Sequence, residues 1–300
     1  MLGTTISAPR FKEILADARR SQAWLELDAG DVRARYNKAG FLVRHKLAEH
    51  PLFQLDELFA LCRRAPHLAK HRFGEIPIDA HFNSSLADYR KELTLDDAID
   101  HLVEKRAYIA IYNAERDPRY TQAIEGLLGE LGLAVEAIEG TFNWYSTYVF
   151  ISANDSVTPY HMDREMNFLL QIRGTKTVQL WDPNDDEVMT PAQRDYLFSH
   201  AEDSRPTYRP SLAQKAETFE LAPGLGVHHP FIAPHLVTTG PALSISLAIT
   251  FRTPSSDRRS DAHRFNHRAR RFGLHRLPLG DRGKAAVVRT IRRARGTLRP

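Results

Sequence analysis

Thr158-Pro159-Tyr160-His161-Met162-Asp163 opens the stretch that decides the fold, and Asn167, Phe168, Gln171, Ile172, Arg173, Gly174 and Lys176 follow it. Side chains on a strand alternate faces with a period of two, so a strand here aims the imidazole of His161 and the carboxylate of Asp163 to one side. A second histidine from a later strand completes a 2-His-1-carboxylate facial triad. That donor set suits non-haem iron(II) and leaves coordination positions open. The tripeptide His-x-Asp is weak by itself, since 14 histidines yield about one such match by chance at average Asp frequency. The surrounding pattern carries the argument.

Outward from this stretch, residues 141–152 are rich in aromatic and β-branched side chains. Short strands are expected at 168–173, 175–181, 217–221, 227–232 and 243–251, separated by Pro, Gly, Asn and Asp turns. Short strands at regular spacing imply a sandwich or barrel. The later histidine should follow a Gly/Pro turn and precede the last apolar strand. Pro223-Gly224-Leu225-Gly226 supplies the turn, and Pro230 and Pro234 frame His235. His228 and His229 are rivals for the same role.

Upstream, residues 11–140 read mostly as helix. Phe11, Ile14 and Leu15, and Leu55, Leu58, Phe59 and Cys62, recur at helical spacing. Thr94 is placed to cap a helix, Tyr108–Tyr112 reads as a strand, and 120–131 as a helix. Residues 184–210 read as a polar loop or insertion, and 255–260 as a polar linker. Two short basic helices are expected at 263–272 and 284–295. The expected organisation is a mostly helical region over 1–140 packed on a β core at 141–252, with a basic helical extension over 253–300.

Pattern and resemblance meet at residues 142–252. Thr-Pro-x-His-x-Asp, Asn-Phe and Gln-Ile-Arg-Gly-x-Lys, here Thr158 to Lys176, resemble the metal-binding half of the JmjC/cupin-like family of iron(II)/2-oxoglutarate oxygenases. The likeness is greatest to the asparaginyl hydroxylase type that acts on the hypoxia-inducible factor. The spacing from Pro230 to His235 is similar to that family's distal ligand, and Ser244-Ile245-Ser246 to its closing strand. The resemblance implies a double-stranded β-helix, a cupin-type jelly-roll, in an α+β chain. It implies His161, Asp163 and His235 as ligands of Fe(II). Lys176 would hold the distal carboxylate of 2-oxoglutarate with help from Thr158, and Asn167 would lie near the cosubstrate or oxygen site. It also implies an upstream tyrosine, for which Tyr108 and Tyr112 share a strand face and Tyr112 is taken as the candidate. The activity implied is hydroxylation of a C–H bond in a protein or peptide side chain, or in an amino-acid-like small molecule. Two other classes remain: a metallocupin that does not use 2-oxoglutarate, and a non-catalytic cupin-like regulator that uses the basic tail to bind nucleic acid.

Charge is divided along the chain. From residue 252 to 300 there are 15 Lys/Arg and 3 Asp/Glu, a net +12, against 26 and 34 elsewhere, a net −8. Arg264, Arg268, Arg270, Arg271, Arg289, Arg292, Arg293, Arg295 and Arg299 form this basic end. Packing on the body or on a second subunit is its first reading, and a homodimer is compatible with the apolar face that Ala285-Ala286-Val287-Val288 and Ile291 offer. Docking of an acidic protein comes next, and nucleic acid is not favoured because no nucleic-acid motif accompanies the charge. Cys62 is the only cysteine, which excludes an internal disulfide and a Cys-rich zinc site and fits a reducing compartment. No apolar stretch reaches the roughly 20 residues of a membrane span. A cytoplasmic protein is the expectation.

Overall fold

The computed structural model describes residues 3–80, 94–200, 207–274, 277 and 279–297. Its core is two antiparallel sheets. Eight strands form the jelly-roll: β6 (Trp144–Ser152), β7 (Val157–Met162), β8 (Met166–Arg173), β9 (Lys176–Leu180), β10 (Glu217–Leu221), β11 (Leu225–His229), β12 (Pro234–Thr239) and β13 (Ser244–Arg252). Four of them form a minor sheet in the order β10-β9-β12-β7 and four lie in a major sheet containing β11-β8-β13-β6, with β9 and β10 the one consecutive pair in the same sheet. This division is the double-stranded β-helix that the short, regularly spaced strands imply.

The first 140 residues contribute strands as well as helices. β1 (Thr4–Thr5), β2 (Leu25–Glu26), β3 (Leu42–His45), β4 (Ala69–Arg72) and β5 (Tyr108–Tyr112) all join the major sheet. β3 and β2 extend it past β11, while β5 and β4 extend it past β6. Strands of two to four residues are too short to show alternation, which is why the sequence pattern passes over the first four.

Two apolar clusters divide the core. The larger lies where helices cover the outer face of the major sheet, with Phe168, Leu170, Leu247, Ile249 and Phe251 packed with Phe11, Ile14, Leu127 and Leu131. Those last four come from α1 (Ala8–Arg20) and from the long Pro118–Glu139 helix. A Cβ on Gly129 would meet the Ala18 Cβ at 2.7 Å, so this glycine lets the two helices approach closely. The smaller cluster lines the inside of the barrel, with Leu169, Val227 and Ala248 of the major sheet facing Val178, Leu221 and Val237 of the minor sheet.

Local chemistry corrects several expectations. Residues 255–260 are no linker: they belong to the helix Pro254–Arg270, where Thr253 and Ser256 form a capping box and the Ser260 hydroxyl bonds the Ser256 carbonyl. The polar stretch after residue 184 contains the helix Pro191–Leu197, capped by Thr190 and Gln193. The strand expected at 227–232 ends at His229. Ile232 has φ of 58°, and the turn separates β11 from β12. The Thr94 cap is present as a full capping box with Asp97.

The basic end forms a helical pair, Pro254–Arg270 with Asp281–Thr297. Several of its arginines close on buried carboxylates. Arg270 donates two hydrogen bonds to Asp195, and Arg264, Arg289 and Arg292 converge on Asp261. Ala285 and Val288 are buried, whereas Ile291 is exposed. Arg299 and the side chain of Arg295 lie outside the described residues. Among the described residues, no helix is long and apolar enough to cross a membrane.

Candidate metal centre

β7 and β12 pair so that His161 stands directly opposite His235. Asp163 follows immediately after β7 ends, so it reaches the site from a loop and not from the strand that the period of two assumes. His161, Asp163 and His235 each present a ligand atom within 4.8 Å of the others, and they form the one such group among the described residues. The imidazole centroids are 4.0 Å apart, and His235 Nε2 is 3.8 Å from an Asp163 carboxylate oxygen.

Both imidazoles are held in the same way. His161 Nδ1 is 2.8 Å from the Pro159 carbonyl, and His235 Nδ1 is 3.0 Å from the Ala233 carbonyl. A carbonyl only accepts, so each Nδ1 donates, which leaves each Nε2 as the nitrogen available to a metal. Burial, and then the neighbouring His235, push His161 down to about 3, so its ring is neutral. Two imidazoles and a carboxylate are donors that suit a divalent metal.

Thr158 also faces inward, which strict alternation would forbid for a residue three positions from His161. The pairing shows how: His235 lies opposite His161 but Val237 lies opposite Thr158, so β7 spends one extra residue in a bulge at Pro159-Tyr160. The bulge turns Thr158 and His161 to the same side. Across β12, Val237 also lies opposite Val178 of β9, and Lys176, two residues from Val178, shares its face.

Lys176 is buried with its ammonium 2.6 Å from the Ser246 hydroxyl of β13 and 5.5 Å from the centre of the Phe150 ring. Among the described residues no carboxylate forms an ion pair with it, and burial pushes it down to about 7. The turn that delivers it requires Gly174, whose φ is +67° and whose Cβ would sit 2.4 Å from the Leu243 carbonyl oxygen.

The upstream tyrosines separate. Burial raises the Tyr108 hydroxyl to about 12, and the neighbouring Arg72 guanidinium and Thr158 side chain oppose the rise. The Arg72 guanidinium lies 4.3 Å from the Tyr108 ring centre and donates to the Val157 carbonyl at 2.9 Å. Tyr112, the candidate taken from sequence, lies against Tyr148 and under the Lys70 ammonium. The contact with Thr158 thus belongs to Tyr108.

The rival histidines also separate. His228 donates from Nδ1 to the Asn167 carbonyl, accepts the Asn37 N–H at Nε2, and stacks on Tyr36. It is a packing residue on the outer face. His229 faces inward, its ring centre 4.6 Å from that of His235. Asn167 stands opposite His229 across β8 and β11. Neither histidine belongs to the group of three ligand atoms.

A cupin-like domain model matches residues 54–270, which take in β4, β5, all eight jelly-roll strands and the helix that follows them. The chain belongs to the cupin-like domain family. A search of curated proteins finds no match. Among solved structures, the chain is similar to the X-ray structure of E. coli ycfD, with 12% identity and a TM-score of 0.48 over 87% of this chain and 62% of that one. It is also similar to a crystal structure of Escherichia coli ribosomal oxygenase YcfD, at 12% identity and TM-score 0.47, covering 87% and 61%. A third is YcfD in complex with cobalt and 2-oxoglutarate, at 13% identity and TM-score 0.47, covering 87% and 60%. The chain thus spans about three fifths of the length of these proteins.

This cupin-like domain brings two further groups into the site, one beside Asp163 and one beside Lys176, that the sequence does not single out. Glu165 is buried, and burial and then Asp163 push it up to about 7. Ser246, noted only as part of a closing strand, holds the Lys176 ammonium. No sequence motif marks Arg72, whose burial becomes visible only once β4 joins the sheet.

Proposed function

We propose that the chain is an iron(II)- and 2-oxoglutarate-dependent oxygenase that hydroxylates a C–H bond in a protein or peptide side chain, or in an amino-acid-like small molecule. One observation carries the reading. A single barrel interior holds, at one end, two imidazoles and a carboxylate converging within 4.8 Å and, at the other, a buried lysine with no ion-paired carboxylate among the described residues. The first end has the donors of a facial triad, and the second has the charge that a dicarboxylate requires.

Bound together, iron(II) and a 2-oxo acid supply the reduction of dioxygen that C–H hydroxylation needs. The residues of this chain do the positioning. The Pro159 and Ala233 carbonyls hold the His161 and His235 rings by Nδ1, leaving both Nε2 atoms for the metal, and Asp163 supplies the negative charge. Lys176 pairs with the distal carboxylate, with the Thr158 and Tyr108 hydroxyls beside it in place of Tyr112. The apolar lining of Leu169, Val178, Val237 and Ala248 excludes water between the two ends. The Asp163 side chain is 34% exposed against 5% for His235, so the substrate approaches from the Asp163 side.

The test is an anaerobic titration with iron(II) and then 2-oxoglutarate, read by the visible metal-to-ligand charge-transfer absorption. The wild type gains the band, Asp163→Ala loses it, and Lys176→Met requires far more 2-oxoglutarate to reach it. Iron bound without any band would instead support a metallocupin that does not use 2-oxoglutarate.

A further inference from the structure

Burying a polar side chain without a hydrogen-bond partner is costly, so each such group calls for an explanation. Two of them face the metal centre together. Both ring nitrogens of His229 and the Oδ1 of Asn167 are buried without a partner among the described residues. The two residues stand directly opposite each other on β11 and β8, so their side chains project from one patch of the inner face of the major sheet. The two triad histidines come from the minor sheet across the barrel, and the His229 ring lies edge-on to His235 at 4.6 Å.

Strand register fixes which end of the site this patch serves. Asn167 is level with Thr250 on β13, while Gln171 is level with Ser246, the residue that holds Lys176. Four residues of strand, roughly 13 Å at about 3.3 Å each, separate the two levels. The pair of unpartnered groups therefore stands at the metal end, away from the lysine. His228, one residue earlier, points to the other face and has both nitrogens satisfied, so the lack of partners at His229 is particular to the inward position.

We propose that His229, with Asn167 beside it, is a positioning residue that hydrogen-bonds the metal-chelating end of the 2-oxo acid from the major-sheet side. The inference rests on the proposed 2-oxo-acid chemistry and adds a site residue to it. An imidazole N–H aimed at the chelating carboxylate would fix the plane in which the 2-oxo acid meets the metal. The same contact supplies the partner that His229 lacks within the protein.

The experiment compares two probes, 2-oxoglutarate and 2-oxobutanoate, which lacks the distal carboxylate. Each is titrated anaerobically into the iron(II)-loaded wild type, His229→Leu, His229→Gln, Asn167→Ala and Lys176→Met, with the charge-transfer band as readout. Iron(II) affinity is measured separately for each. His229→Leu should weaken both 2-oxo acids by the same factor, about tenfold or more for a lost hydrogen bond to a charged group, with iron affinity within about threefold of wild type. It should also shift the band maximum. His229→Gln should recover part of the loss, Asn167→Ala should weaken both acids less, and Lys176→Met should weaken 2-oxoglutarate alone. Unchanged binding of both acids by His229→Leu overturns the inference, as does a loss of iron affinity as large as the loss of 2-oxo-acid affinity, which would make His229 a ligand. A wild type that binds iron but gives no band with either acid overturns the underlying reading instead, and the inference with it.

Discussion

Lys176→Met should make the ligand-free protein more stable while removing its hold on 2-oxoglutarate. Burial lowers the Lys176 ammonium from 10.5 to about 7, with no acidic group offsetting the effect. At about 1.4 kcal/mol per pH unit, this difference destabilises the folded state at pH 7 by up to roughly 4 kcal/mol. Methionine has similar length and no charge, and losing the bond to Ser246 takes back about 1 kcal/mol, which leaves a gain of roughly 2–3 kcal/mol. The sign with pH follows from proton counts. Because the folded pKa is the lower one, the unfolded chain binds more protons between about 7 and 10.5, so wild-type stability from this group rises across that window. The advantage of methionine should therefore be full at or below pH 7 and shrink below about 1 kcal/mol near pH 10. Urea unfolding of both proteins at pH 7 and pH 10, without ligand, measures it. Methionine destabilising the protein, or a difference that does not change with pH, would refute the claim that Lys176 is an uncompensated buried cation. With ligand, the order reverses: 2-oxoglutarate stabilises the wild type and not Lys176→Met. Its wild-type affinity falls as pH rises above about 7, because the charged ammonium is the binding form.

Tyr108→Phe should weaken 2-oxoglutarate about three- to tenfold in the same titration, the range for one neutral hydrogen bond, and Tyr112→Phe should leave it unchanged, because Tyr108 is the tyrosine beside Thr158. Gly174→Ala should cost about 1–3 kcal/mol in urea unfolding, since φ of +67° and the Leu243 carbonyl both oppose a side chain there. Asp195→Ala should lower stability by about 2 kcal/mol and loosen the C-terminal helices, seen as faster amide exchange over 254–270, because it removes the acceptor of His263 and Arg270. Burial pushes Asp195 up, but hydrogen bonds from His263 and Arg270 outweigh it and leave the carboxyl below 3.8. Its contribution is present above that pH and is lost as pH falls through the lower folded value, so acid titration of wild type against Asp195→Ala should show the two curves converging.

The jelly-roll was legible because its strands are long enough to carry their own pattern. Trp144–Ser152, Glu217–Leu221 and the last strand emerge from aromatic and β-branched composition, and the turns between them from Gly, Pro and Asn. What was missed is short or held by side chains. β1 to β4 owe their strand character to the sheet edges they join, and Pro254–Arg270 opens with Ser255, Ser256 and Ser260, residues that suit a linker until a capping box and back-bonding hydroxyls fix them in a helix.

The candidate site shows the same limit more sharply. Read with a period of two, His161 and Asp163 share a face, and Thr158, three residues before His161, would point the other way. The observed arrangement breaks that rule twice: Asp163 has left the strand, and a bulge at Pro159-Tyr160 returns Thr158 to the inner face. Proline has no N–H to give to the ladder, so Pro159 is a local cause for the irregularity, yet its consequence depends on β12 keeping an uninterrupted register against it. The choice between Tyr108 and Tyr112 depends on that same bulge. Both share a face of β5, and only the inward turn of Thr158 gives one of them a hydroxyl to meet. The motif therefore supplies the residue types, while one extra residue in one strand brings those types together, and a substitution that restored regular pairing at Pro159-Tyr160 would separate Thr158 from Tyr108 without touching either.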